Sequence, residues 1–316
     1  MIEKPNFLVQ RLDKTRDIGQ MADLIDLCFG QQMDPDGKKY LNYLRNIARQ
    51  NNSFVALVEN SIRYTPSIDG FVCRTNDRLI GNINISPYQD SKEKILFISN
   101  VAVHPDYRNL GIAKQLVQKA IDYTYQLHFT SVWLQVRKEN EIAYHVYSSI
   151  GFKDWGNRDT WVIQPTSLGN DVKSPNILIT RRRIVDWQKQ EEWLKNIYPE
   201  EIRWQLEMSS LNFRPQIWQS IKNVISGRIT LHWSFEDQQH LLGVITWQPS
   251  FRFADQLWMA LKPGFEDRVI ENAFPFIQRQ LMQKKPLMLD LPEGLGSNAL
   301  SKVGFEKMHT LRWMKR

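Results

Sequence analysis

The stretch Ile98 to Ala113, ISNVAVHPDYRNLGIA, decides how the rest of the chain is read. An apolar, β-branched run from Ile95 to Val103 leads into it, and Pro105 interrupts it. Ile112, Leu116, Ala120, Tyr123 and Leu127 then follow at the spacing of one helix face. The pattern predicts a strand, a loop and a helix start. A helix leaves its first N–H groups without internal partners, and its dipole places about half a positive charge at that end. The segment Arg108, Asn109, Leu110, Gly111, Ile112, Ala113 therefore offers main-chain donors to an anion. Gly111 has no Cβ and Ala113 a minimal one, so a bulky phosphate can come close, while Arg108 adds a charge-assisted hydrogen bond. The expectation is a pyrophosphate cradle; a tight strand-to-helix turn without a ligand is the plain alternative.

A second motif lies downstream in NEIAYHVYSSIGF, with Asn140, Ala143, Tyr147, Gly151 and Phe152. Together the two stretches resemble motifs A and B of the GNAT acetyltransferase superfamily. Motif A, Gln/Arg-x-x-Gly-x-Gly/Ala, is matched by Arg108, Gly111 and Ala113, and motif B follows in the family's order and separation. The resemblance covers roughly residues 7 to 163. It implies acetyl-CoA as cofactor, lying in a splay between strands 4 and 5. The pantetheine arm would pair along Val101 to Val103, with the thioester carbonyl and the acceptor near a bulge at Asn100. It also implies Arg108, Asn109, Leu110, Gly111, Ile112 and Ala113 around the pyrophosphate, Asn140 on the pantetheine arm, and Tyr147 as general acid toward the departing thiolate. Read locally, Asn140 is equally a helix N-cap, Gly151 a C-cap and Tyr147 a core residue.

Acetyl transfer to an amine also needs a proton acceptor, since deprotonating an alkylamine of pKa near 10.4 costs about 4 to 5 kcal/mol at pH 7. Many relatives carry a Glu where this chain has Ser99, and neither Ser99 nor Asn100 is a base at neutral pH. Asp90, Glu93, Glu139, Glu141 and His104 read as surface groups, so ordered water is expected to relay the proton.

At 316 residues the chain is long enough for two cores, and 42% hydrophobic with 24% charged residues is the composition of a soluble globular protein. No apolar stretch approaches a membrane span, and MIEKPNFLVQR lacks the apolar core of a secretory signal, so a cytoplasmic location is expected. Cys28 and Cys73 read as buried thiols, without metal-ligand spacing. The net charge of +7 favours anionic ligands; Arg181, Arg182 and Arg183 read as a solvated strand edge, and nucleic acid is not expected as a partner. The four tryptophans Trp187, Trp193, Trp204 and Trp218 read as packing.

In chain order, a strand at Phe7–Leu12 is followed by helices at Ile18–Phe29 and Tyr40–Ala48, separated by a break at Pro35-Asp36-Gly37. Then come a strand at Phe54–Val58, a hairpin of Phe71–Arg74 with Leu79–Ile85, the central strand and its helix. A strand at Ser131–Val136, a helix at Asn140–Ile150 and two short strands around Gly156-Asn157 complete the first half. After the loop Gln164–Asn176 the order repeats: strand Ile177–Val185, helices Trp187–Met208 and Pro215–Ile225, strands Ile229–Phe235 and Leu242–Trp247. Met259-Ala260-Leu261-Lys262-Pro263 then stands against Val101-Ala102-Val103-His104-Pro105, and Gly304-Phe305 against Gly151-Phe152. Aligned without gaps from the shared Pro, Arg108 faces Glu266, Gly111 faces Val269 and Ala113 faces Glu271, which predicts an empty second site; Leu300 replaces Tyr147.

The expected fold class is α/β with a mixed, mostly antiparallel sheet, in two GNAT-like domains: 1–165 catalytic, 166–316 degenerate and non-catalytic. The expected function is N-acetyl transfer from acetyl-CoA to a small-molecule or peptide primary amine. A non-catalytic acyl-CoA-binding or regulatory module is the alternative that the missing Glu at Ser99 allows. The oligomeric state is left open.

Overall fold

The apolar run around Ile95 forms a ten-residue strand, Lys94–Val103, whose side chains alternate between two buried faces. The computed structural model describes residues 7–49, 68–89, 93–165, 176–206, 208, 213–215, 230–281 and 284–316. The chain divides into two units, residues 1–155 with 312–316, and residues 156–311. The sequence-expected strand Phe54–Val58, the loop residues 59–67, Asp90 and the helix residues 216–225 with Trp218 lie outside the described residues.

The first unit runs β1 Leu8–Arg11, α1 Ile18–Phe29, α2 Pro35–Arg49, β2 Gly70–Thr75, β3 Arg78–Gln89, β4 Lys94–Val103, α3 Ile112–Gln126, β5 Ser131–Arg137, α4 Glu141–Ser149. Its sheet order is β1-β2-β3-β4-β5, antiparallel throughout except for the parallel pair β4–β5. One face packs Cys73, Ile83, Ile85 and Ile98 against Ile112, Leu116 and Ala120 of α3. The other packs Val72, Leu79 and Ala102 against Met21 and Ile25 of α1 and Leu44 of α2. A Cβ on Gly81 would stand 2.8 Å from Ile112 Cγ2, so glycine there lets α3 lie close on the sheet. The expected break at Pro35-Asp36-Gly37 is the start of α2 instead, because the fixed φ of proline suits the first helical position. The chain's C-terminal end belongs to this unit: Arg316 and Val132 exchange two main-chain hydrogen bonds of 2.9 Å, Met314 enters the core, and Lys315 pairs with Glu93 at 2.9 Å.

The two short strands expected around Gly156-Asn157 are one continuous strand, β6 Lys153–Ile163; Gly156 keeps a negative or extended φ, so no turn forms. From Arg158 onward β6 pairs antiparallel with a strand of the second unit, which moves the expected boundary after residue 165 back to 155/156.

The second unit continues with β7 Leu178–Arg181, α5 Trp187–Ile197, α6 Glu200–Leu206, β8 Leu231–Asp237, β9 His240–Gln248, β10 Asp255–Leu261, α7 Glu266–Leu281, β11 Leu287–Pro292, α8 Ser297–Lys302 and β12 Glu306–Lys315, whose last residues return to the first unit. Pro199 separates α5 from α6 in the region expected as one helical stretch. The order β7-β8-β9-β10-β11, with only β10–β11 parallel, repeats the first unit. Arg182 is not a solvated edge charge: its guanidinium donates to Gln190 Oε1 at 2.7 Å and to Phe213 O at 2.5 Å. Trp193 is buried and Trp187 packs against the same core. No helix among the described residues is long and apolar enough to cross a membrane.

Candidate functional site

The pairing of β4 with β5 covers Ile95 to Ile98 against Ser131 to Leu134 and ends there. Beyond it, β4 keeps only its β3 partner, so the edge from Ser99 to Val103 is open toward β5, with Ser99, Asn100, Val101 and Val103 half-buried. At the same point the β3–β4 register shifts, because β4 carries one extra residue. Asn100 takes that position with φ +49°, a left-handed conformation that Asn tolerates better than most residues. The expected splay and bulge are both present.

After β4 the chain turns through Pro105–Tyr107 and reaches α3 by Arg108, Asn109, Leu110 and Gly111, all exposed. Asn109 (φ +63°) and Gly111 (φ +79°) are both left-handed, and a Cβ built on Gly111 meets nothing within 4 Å. Alternating left-handed residues turn successive N–H groups to one side, directly before the positive end of a fifteen-residue helix. Ile112 faces inward against the core, so only its main chain borders the loop; Ala113 is half-buried. Arg108 Nε donates to Val103 O at 3.4 Å, and its guanidinium lies beside the Cys28 thiol, which also reaches Val103 O. The left-handed turn before α3 and the open approach at Gly111 fit a pyrophosphate, with Arg108 adjacent in the chain.

Asn140 caps α4, its side-chain oxygen accepting from Ala143 N–H at 3.1 Å, which orients the side chain and leaves its NH2 group available to a ligand. Tyr147 is buried in the cluster that holds Ile112, Leu116 and Phe152, and Val101, Val103 and Tyr107 pack on that cluster. Motif B and the β4 edge thus share one core. Burial pushes the Tyr147 hydroxyl well above its ordinary pKa of 10.

The carboxylates are engaged elsewhere. Glu93 meets Lys315 and Ser131, Glu139 pairs with Arg137 at 3.6 Å, and Glu141 with Arg312 at 3.4 Å. His104, expected at the surface, is largely enclosed: Arg78 lies 2.8 Å from its Nε2, the Asp106 N–H 3.3 Å from its Nδ1, and its ring meets Tyr107 edge-on. Cys73 is buried, while Cys28 is only half-buried and reaches Val103 O at 3.4 Å. The sequence reading missed Asn82 and Asn84, which stand buried beside the bulge; two asparagines at i and i+2 in an otherwise apolar strand were the available signal.

The second unit corrects the ungapped alignment. His104 N–H bonds Ile80 O and Lys262 N–H bonds Leu242 O, both at 2.9 Å, so Pro105 and Pro263 do correspond. The buried faces of the helices match Leu116, Val117, Ala120 and Ile121 to Val269, Ile270, Ala273 and Phe274, which sets Gly111 (φ +79°) against Gly264 (φ +85°). Gly151 (φ +92°) and Gly304 (φ +94°) match at the same offset. Asp106 to Leu110 therefore have no counterpart, since Pro263 and Gly264 are adjacent. Val269 is core, Glu271 pairs with Lys302 at 2.9 Å, and Glu266 stands opposite Ala113. A shortened loop, rather than two carboxylates facing the site, separates the copies. β10 also pairs with β9 without a register shift, and its Met259 N–H donates to the buried Tyr198 hydroxyl at 3.3 Å.

Residues 34–152 match the model of the acetyltransferase (GNAT) family, so this part of the chain is similar to that family. A probable N-acetyltransferase camello of Xenopus tropicalis is 30% identical over 95 residues, 30% of this chain and 40% of that protein. The alanine N-acetyltransferase of ribosomal protein bS18 from Escherichia coli K12 is 36% identical over 72 residues, 23% of this chain and 47% of that protein. The chain thus spans less than half the length of these curated relatives. A tandem GNAT protein from the clavulanic acid biosynthesis pathway has the same fold over 98% of both chains, at a TM-score of 0.52 and 14% identity.

Proposed function

We propose that the first unit transfers an acetyl group from acetyl-CoA to a primary amine, on a small molecule or a peptide, and that the second unit is a non-catalytic copy without a cofactor site. The observation that carries this reading is the open β4 edge bordered by the Asn100 bulge and the left-handed loop before α3. Bound acetyl-CoA would supply an activated thioester carbonyl and a thiol leaving group. Gly111, Ile112 and Ala113 hold the pyrophosphate by their N–H groups, with Arg108 beside them and Asn109 and Leu110 shaping the turn. Val101 and Val103 offer main-chain pairing to the pantetheine arm, Asn140 offers its NH2, and the main chain at Asn100 polarises the carbonyl. A C–N bond forms and a C–S bond breaks; one amine proton ends on sulfur, and an amine arriving as ammonium releases a further proton to solvent.

Tyr147 acts at the sulfur, in a narrower way than a full general acid. A phenol whose pKa lies above 10 gives its proton uphill to a thiolate whose conjugate acid lies near 8.5, so the hydroxyl stabilises developing charge by donating a hydrogen bond. An alanine amine of a ribosomal protein, in the name of the bacterial relative, belongs to the same acceptor class. A cytoplasmic location suits this reading. Incubating the chain with acetyl-CoA and a panel of amines, read as free thiol release, tests it. Amine-dependent release supports transfer, whereas binding of one acetyl-CoA per chain without turnover favours an acyl-CoA-binding module.

A further inference from the structure

Beside the bulge lies a buried amide whose oxygen has no protein partner. Asn82 on β3 is fully buried; its Nδ2 donates to Asn100 O at 3.1 Å and to Asn84 Oδ1 at 3.0 Å. Asn84 in turn donates through Nδ2 to Asp69 O at 3.4 Å and faces Met21 Sδ at 3.6 Å. The two main-chain carbonyls fix both amides, since only the nitrogen end of an amide can face a carbonyl oxygen. Asn82 Oδ1 is left over, buried and without a hydrogen-bond partner among the described residues. Burying an unmet carbonyl is costly, and the position that corresponds to Asn82 in the second unit, Val244, is apolar. The orphan oxygen and the bulge occur together in one unit and are missing together in the other.

Resting on the acetyltransferase reading, we propose that Asn82 is a positioning residue whose Oδ1 holds the water that takes the proton from the acceptor amine. An amide is no base, but by accepting one O–H of a water it turns that water's lone pair toward the bulge, where Ser99 and Asn100 supply no base of their own. As the C–N bond forms and the C–S bond breaks, the nitrogen gives its proton to this water, which passes one on to solvent, and the departing sulfur takes one proton up from solvent, so that the net transfer is from nitrogen to sulfur. The same side chain fixes Asn100 O, so it ties the water to the carbonyl-binding main chain.

A crystal structure of the full chain with coenzyme A, at a resolution that shows waters, is the first test. An ordered water about 2.7–3.2 Å from Asn82 Oδ1 is expected; an Oδ1 that is dry or covered by a side chain overturns the proposal. In the second test, Asn82→Leu lowers turnover at least tenfold and raises KM for acetyl-CoA by less than that, while Asn82→Ser, which leaves room for water, recovers part of the loss. Turnover of both variants within threefold of the parent, or equal loss in both, overturns it. The crystal test does not depend on the variants folding. No thiol release by the parent with any amine would instead sink the acetyltransferase reading itself, and is told apart from a parent that turns over without water at Asn82.

Discussion

Past Ile98 the first unit's central strand is half-exposed at Ser99, Asn100, Val101 and Val103, whereas in the second unit every residue from Leu257 to Leu261 is buried. Both strands leave their parallel neighbour after a few pairs, β4 after Ile98 and β10 after Gln256. The splay is therefore common to the two units, and what fills it differs. In the second unit Tyr198, edge-on against Trp258 at 5.2 Å, accepts from the main-chain N–H of Met259. Strand order and alternate burial are common to both units; a one-residue bulge and a five-residue loop set the first unit apart. A copy can lose both and keep its sheet.

The largest expected effect comes from giving the first unit the second unit's loop. Deleting residues 106–110 should weaken acetyl-CoA binding at least a hundredfold, about 2.7 kcal/mol, because the left-handed turn and Arg108 go together. Calorimetry reads it, with a melting curve to show that the sheet survives. Unchanged affinity would place the pyrophosphate elsewhere. Tyr147→Phe, which imports the loss of hydroxyl seen at Leu300, should lower turnover about thirtyfold, some 2 kcal/mol, with a smaller change in KM. A parental turnover number would leave Tyr147 as packing alone.

The units also part in how they respond to acid. His232 pairs across the strands with Thr246, as Gly70 pairs with Asn84, so the second unit carries a titratable ring where the first has none. Burial, with the nearby Arg182 charge, pushes His232 down to about 3. The folded state then binds fewer protons than the unfolded state between pH 3 and 6.5, so stability from this group is full above 6.5 and falls as pH drops. At pH 5 the loss should reach roughly 2 kcal/mol. Urea titrations at pH 7 and 5 should show it, and His232→Gln should flatten it; an equal slope in that variant would assign the acid sensitivity elsewhere.

Much of this was legible in the sequence for a physical reason: period-two and helical patterns mark burial, and burial builds the sheet. Ile95–Val103 and Ile112–Gln126 follow directly from such patterns, and the Gly111 and Gly151 turns from their need for positive φ. The bulge at Asn100 rested on the family resemblance, since an extra residue changes register without changing composition. The shortened loop escaped because the ungapped alignment ran past it, although the spacing from Pro to Gly already differed by five between Pro105–Gly151 and Pro263–Gly304. Continuous β6 hid behind Gly156-Asn157, a dipeptide that reads as a turn and here stays extended.

The smallest effect separates two reasons why the second unit is proposed to bind no cofactor. Tyr198→Phe removes the acceptor of the Met259 N–H while keeping the ring against Trp258. That hydrogen bond is long at 3.3 Å, so its loss should cost about 1 kcal/mol, at the low end for a buried donor left unpaired. Denaturant titration reads this, and a variant as stable as the parent would mean that the hydroxyl does not hold β10. The same variant frees the N–H that a pantetheine carbonyl would need. If Tyr198 were the sole obstacle, equilibrium titration would then find a second, weak acetyl-CoA per chain. One is expected, because no counterpart of Asp106 to Leu110 stands between Pro263 and Gly264, and an unblocked strand edge without a phosphate turn has nothing to hold the charged end of the ligand.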